Sequence, residues 1–198
     1  MLKRHYLTRG FSLIELMIGV AVLGILIMVG LPGLTDWIQS TQVRTSADAI
    51  ISGLQYARSE ALRRNRSVQF TLTNSLDASC AASLTGTSWV VSLADPTGAC
   101  GATPSETAAP QILQKRSGLE GSPNATVTAT GSSSIVFNGV GRIIGYPSGG
   151  VAVDVKSTKG ACQDAAGSIR CLKVNISASG AIRMCDPVVS DVADPRKC

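Results

Sequence analysis

The sequence predicts an α+β protein: a long N-terminal helical stem, transmembrane and then amphipathic, packed on a mostly antiparallel β head. Three observations predict it. Residues 11–34 form an apolar run broken by one charge, Glu15. Val43, Ala47, Ile50, Leu54, Ala57 and Ala61 then recur at spacings of three and four, the signature of one apolar helix face. Beyond residue 66, short alternating apolar and polar stretches are separated by Gly, Ser and Thr, as in half-buried strands joined by turns. The expected boundaries are a leader at 1–10, a transmembrane and assembly helix at 11–34, an amphipathic stem helix at 35–66 and a disulfide-bearing head at 67–198. With 198 residues, 44% of them hydrophobic, the chain is long enough for one ordinary core and too apolar to be disordered.

The apolar run comes first. A helix over these 24 residues is about 36 Å long and crosses a hydrocarbon layer of about 30 Å. Lys3, Arg4 and Arg9 precede it and Asp36 follows, so the positive-inside bias puts residues 1–10 in the cytoplasm and the head across the membrane. A secretory signal has a shorter apolar core, of about 7–15 residues, ended by small residues. Glu15 costs up to about 3 kcal/mol if it sits deep in lipid, so it needs either water at the interface or a partner. Pro32, between Gly30 and Gly33, removes a backbone donor and kinks or loosens the helix near its outer end.

The stem follows, with Arg44, Asp48, Gln55, Glu60 and Arg63 expected on the side opposite its apolar stripe. It ends near Arg63-Arg64-Asn65-Arg66, where basic residues suit the helix dipole better than they mark a nucleic-acid patch. Strands are expected at 67–73, 89–93, 111–115, 125–130, 134–137, 151–155, 171–177 and 181–185. The last two are joined by Ala178-Ser179-Gly180, with a glycine available for positive φ.

Several chemistries are excluded by composition. The only histidine, His5, precedes the apolar run, so the head has no Ser-His, Cys-His or His-metal arrangement. Scattered acidic residues leave no candidate pair for acid–base catalysis. Gly139-Val140-Gly141 with Gly145 misses the dinucleotide spacing and precedes no helical pattern. No catalytic, cofactor-binding or metal-ligating set is expected. Cys80, Cys100, Cys162, Cys171, Cys185 and Cys198 form an even set without a C-x-x-C pair, as disulfides in an oxidising compartment do. Sequence leaves 15 connectivities open; nearest-neighbour pairing would close three short loops.

Gly10-Phe11-Ser12-Leu13-Ile14-Glu15-Leu16-Met17, behind a basic leader, resembles the processing and assembly signature of type IV pilin-like proteins. The resemblance implies that a prepilin peptidase/N-methyltransferase cuts between Gly10 and Phe11 and methylates the new amine. It further implies that this amine pairs with Glu15 of a neighbouring subunit and that the stem unwinds near Pro32 on assembly. Residues 54–68, LQYARSEALRRNRSV, resemble the stem-to-head junction of the GspH/FimT family of minor pilins and pseudopilins, most recognisably at Ala57-Arg58-Ser59-Glu60-Ala61. Phe137-Asn138-Gly139 and the cysteine-bearing C-terminal hairpin extend the likeness. Membership implies a single-pass inner-membrane precursor with its head in the periplasm, which then joins other pilin or pseudopilin subunits in a filament.

Three functions follow from the resemblance. The first is a non-enzymatic minor pilin at the tip or initiation complex of a type IV pilus, favoured by the cysteines and the closing segment from Cys185 to Cys198. The second is the H-type pseudopilin of a type II secretion system. The third is DNA binding in natural transformation, through a hairpin G-R-x-R motif. Here that stretch reads Gly180-Ala181-Ile182-Arg183, with alanine in place of the first arginine, which removes one charge-assisted phosphate contact. Arg183, Arg196 and Lys197 are the candidate DNA contacts, opposed by Asp186, Asp191 and Asp194. Beyond residue 66 ten basic residues face nine acidic ones, too even a balance to attract a polyanion by charge alone.

Overall fold

Ser12 opens the architecture by capping the long N-terminal helix. The computed structural model describes residues 11–198, side chains at 29–32 excepted, so the leader and Gly10 lie outside the described residues. Helix α1 (Leu13–Arg64) is followed by β1 (Val68–Thr73), β2 (Ser88–Ser92), β3 (Ile112–Arg116), β4 (Ala125–Thr130), β5 (Ser134–Phe137), β6 (Val151–Ser157), β7 (Leu172–Ile176) and β8 (Ile182–Cys185). The helical backbone of α1 is continuous through Gly30, Pro32 and Gly33.

The chain divides into two compact units, the second being Ile38–Cys198. In the first, α1 presents Leu13, Ile14, Leu16, Met17, Ile18, Leu23 and Leu26 as exposed apolar side chains. That surface is the kind water disfavours and lipid or another apolar helix accepts.

In the second unit the rest of α1 lies against two antiparallel sheets, ordered β3-β2-β1-β5 and β4-β6-β7-β8. The six stripe residues Val43, Ala47, Ile50, Leu54, Ala57 and Ala61 are fully buried. They pack with Val68, Phe70, Trp89 and Phe137 of the first sheet and with Val127, Val153, Val155 and Val174 of the second. Gly53 lets the first sheet approach: a Cβ there would stand 2.7 Å from Phe70 Cε2. Burying a Leu or Ile side chain contributes about 1.5–3 kcal/mol, so this stripe is the main apolar tie between helix and head.

Strand positions agree with the sequence expectation to within one or two residues. Gln111 sits at φ +59° as a turn residue, so β3 begins only at Ile112. Strand β2 is buried along its whole length because the first sheet is covered on both faces. Trp89 and Val91 join the helix-facing core, while Val90 packs with Ile112 and the Cys80–Cys100 disulfide on the other side. The cysteines pair as Cys80–Cys100, Cys162–Cys171 and Cys185–Cys198, with Cα separations of 6.0, 5.4 and 5.0 Å.

One expectation for the stem is corrected. Glu60 does not join a solvated face; it is buried at the end of α1, where Arg63 and Arg64 neutralise it. The helix then stops in a left-handed cap at Asn65, φ +48°. Arg66 N donates to Ala61 O and Asn65 N to Leu62 O, the paired bonds of a Schellman ending, in which asparagine is a natural substitute for glycine.

Candidate functional site

The N-terminal segment is built around Ser12. Its Oγ accepts a hydrogen bond from the Glu15 amide at 3.2 Å, and its carbonyl accepts one from Leu16. Ser12 is therefore the N-cap and Glu15 the third helical residue, the spacing of a capping box, which the sequence carries as S-x-x-E. Glu15 sits where the helix dipole favours a negative side chain. Phe11 lies just ahead of the helix and is strongly exposed. Gly10 is outside the described residues, and Pro32 is described through its backbone alone.

The junction stretch Ala57-Arg58-Ser59-Glu60-Ala61 has a clear division of labour. Ala57 and Ala61 are buried without side-chain bulk, bringing the helix close to the sheets. Arg58 Nε donates to the Gly141 carbonyl at 3.1 Å. It also lies beneath Gly180, whose φ of +79° and contact with the Gly141 carbonyl leave no room for a Cβ. One guanidinium thus ties the helix to the turn after β5 and lies against Gly180 of the β7–β8 hairpin. In that turn Asn138 Oδ1 accepts from the amides of Val140 and Arg142, and Gly139 rests directly on Asn65.

Glu60 accepts from Arg63 through both carboxylate oxygens, at 3.0 and 2.7 Å, and from Arg64 Nε at 2.7 Å. Arg64 Nη2 continues to Glu106 at 2.6 Å, anchoring the long loop between β2 and β3. The Arg63 hydrogen bond, aided by that from Arg64, holds the Glu60 carboxyl below its ordinary range against the opposing effect of burial. Glu106 has no sequence signal that marks it as this partner, because the loop that carries it is placed only by the fold.

At the C-terminal end the structure brings Arg183, Arg196 and Lys197 together. Arg183, on the outward face of β8 opposite Asn175, donates from Nη2 to the Lys197 carbonyl at 3.0 Å. Lys197 Nζ donates to the Ser190 carbonyl at 3.0 Å. Arg196 is paired with Asp194 at 2.6 Å, and that bond pulls the Asp194 carboxyl down to about 2. The buried Asp186 binds Arg170 Nε at 2.7 Å, and its amide donates to the Arg196 carbonyl at 2.7 Å. All three cations are thus engaged in holding the loop that Cys185–Cys198 closes. Beside it, Tyr146, Asn175, Ser177, Ala181 and Arg183 line a shallow open cleft of about 420 Å³.

No curated protein sequence matches the chain. Two crystal forms of the type IV minor pilin FimU of Pseudomonas aeruginosa (strain PAO1) are similar to it. One has a TM-score of 0.48 at 17% identity, covering 73% of this chain and 88% of that one. The other has a TM-score of 0.45 at 17% identity, covering 71% and 90%. Residues 7–31 match the prokaryotic N-terminal methylation motif, and residues 46–180 match the family described as type II transport protein GspH. Since that second match spans more than half of the chain, this protein belongs to the GspH family, as a non-enzymatic pilin-like structural subunit bearing the N-terminal motif of a prepilin.

Proposed function

We propose that this chain is a minor, tip- or initiation-type subunit of a type IV pilus. The observation that carries the reading is the closure of the C-terminal segment: Cys185–Cys198, the Arg183–Lys197 bond and the Asp186–Arg196 backbone bond seal the last residues onto β8. Three disulfides and a sealed edge suit a head exposed outside the cell, where reduction is absent and loose segments are cut.

The precursor sits in the inner membrane with residues 1–10 cytoplasmic and its head in the periplasm. Cleavage between Gly10 and Phe11 creates an amine beside the capped start of α1, and that amine pairs with Glu15 of a neighbouring subunit. A carboxylate expensive in lipid then fixes register between stems. Pro32 lacks a backbone donor, so the stem loosens there first as subunits pack.

The test is to shear surface filaments and probe them for this chain, beside a secretion assay on a deletion strain. Presence in pili supports the proposal. Absence from pili together with lost exoprotein secretion moves the chain to the H-type pseudopilin, which shares all the N-terminal chemistry. Glu15→Ala is expected to be cleaved normally and to enter filaments poorly; wild-type incorporation would remove Glu15 from assembly. DNA binding has weaker support, since Arg183, Arg196 and Lys197 all hold the loop itself.

A further inference from the structure

We infer that Trp37 is an interfacial anchor that seats in the headgroup layer of the outer leaflet and thereby sets the depth of the stem, placing Glu15 at the opposite face of the membrane. The inference rests on α1 crossing the bilayer, as proposed above. The two tryptophans of the chain differ sharply. Trp89 is buried against Phe70, with ring centroids 5.6 Å apart, whereas Trp37 is 66% exposed on the helix surface.

Its position is constrained from both sides. The apolar run ends at Leu34, itself half exposed, and Asp36 is the first charge after Glu15. Two residues beyond Trp37, Gln39 already accepts a hydrogen bond from Ser157 Oγ at 3.0 Å, so the folded head begins there. The apolar run belongs in lipid and the polar head in water, which leaves Trp37 at the boundary. An indole suits that boundary, because its apolar ring and its polar N–H together match the mixed character of the headgroup layer.

Depth then follows from helix geometry. Trp37 lies 22 residues after Glu15 along α1, about 33 Å at about 1.5 Å per residue, against a hydrocarbon thickness of about 30 Å. With the indole among the outer headgroups, the Glu15 carboxylate reaches the inner headgroups. Before assembly the insertion cost of a deep acid is thereby avoided, that cost arising only when the stem leaves this depth to pack in a filament, and Glu15 is held at the level where a cytoplasmic peptidase would release its partner amine.

The experiment uses the full chain in vesicles of phosphatidylethanolamine and phosphatidylglycerol, with flotation as the check on membrane insertion. Trp89→Phe leaves Trp37 as the single tryptophan, excited selectively beyond the tyrosine absorption band. Nitroxide quenchers are placed at the headgroup, the upper acyl chain or the chain end. Headgroup and upper-chain labels are expected to quench about two-fold more strongly than the chain-end label, with a blue-shifted emission. Should Trp89→Phe fold poorly, the difference between wild type and Trp37→Phe isolates the same signal, since the buried Trp89 is shielded from lipid. Strongest quenching by the chain-end label, or quenching by aqueous acrylamide alone, in a chain that floats with the vesicles would overturn the anchor and leave the membrane reading intact. A chain that fails to float would overturn both.

Discussion

Gly180 and Glu60 carry the clearest single-residue consequences. Gly180 has a left-handed backbone and the Gly141 carbonyl against its Cα, whereas Gly145 is also left-handed, at φ +64°, but faces open space. Gly145→Ala is therefore expected to cost about 1 kcal/mol from backbone strain alone, and Gly180→Ala about 2–3 kcal/mol because strain and collision add. Denaturation midpoints of the two variants check the difference; equal losses would mean that the Gly141 contact relaxes freely. Glu60 bears on pH dependence. Its carboxyl titrates below its ordinary 4.5 when folded, chiefly through the Arg63 hydrogen bond. The folded state thus binds fewer protons there than the unfolded state, so the stabilisation is complete above about pH 5 to 6 and is lost as pH falls through the folded value. Glu60→Gln should lower stability at neutral pH and flatten the acid limb of a stability profile measured from pH 3 to 7. An unchanged limb would show that other carboxylates dominate acid unfolding.

At the level of elements, the C-terminal loop and the helix stripe fail in different ways. Removing Cys185–Cys198, with a sequence separation of 13, frees loop entropy worth about 3 kcal/mol by the chain-entropy account. The Cys185→Ser/Cys198→Ser double variant is expected to be cut by protease within residues 187–197 while the rest of the head stays resistant. Mass mapping of the fragments checks it, and a resistant loop would mean that Arg170–Asp186 and Arg183–Lys197 suffice. Leu54→Ala, in contrast, opens a cavity between α1 and both sheets, where such losses run to about 2–5 kcal/mol. Its loss should appear as global destabilisation, read from denaturant midpoints without a local cleavage site.

Over the whole molecule, the helix divides its labour between lipid and core. Residues from Ile38 onward contain the buried stripe, both sheets and all three disulfides. A fragment spanning 38–198, exported to an oxidising compartment, is expected to fold without the apolar segment and to remain soluble. Near-ultraviolet circular dichroism with non-reducing disulfide mapping tests this; scrambled pairing would show that the membrane segment guides folding.

Periodicity alone determined the stem, because six residues at helical spacing specify one buried face whatever packs against it. Strand positions were equally legible, since alternation over four to seven residues is a local property, and the Gly10 to Met17 signature is contiguous by nature. The Asn65 cap and the Ser12 N-cap emerge from the structure, although the residues that make them are sequence-local. Tertiary structure alone decided the rest. Glu60 lies on what looks like a polar helix face, and only the chain returning through Glu106 and the sheets buries it. Arg58 is one basic residue among several until the fold delivers Gly141 and Gly180 to it from more than 80 and 120 residues away. The disulfide partners, by contrast, are sequence neighbours with separations of 20, 9 and 13, the pairing that nearest-neighbour closure of short loops expected. Local pattern fixes what a residue prefers and even supplies Arg63 and Arg64 to Glu60, but the carbonyl that satisfies the Arg58 guanidinium comes from a distant segment, and only packing brings those together.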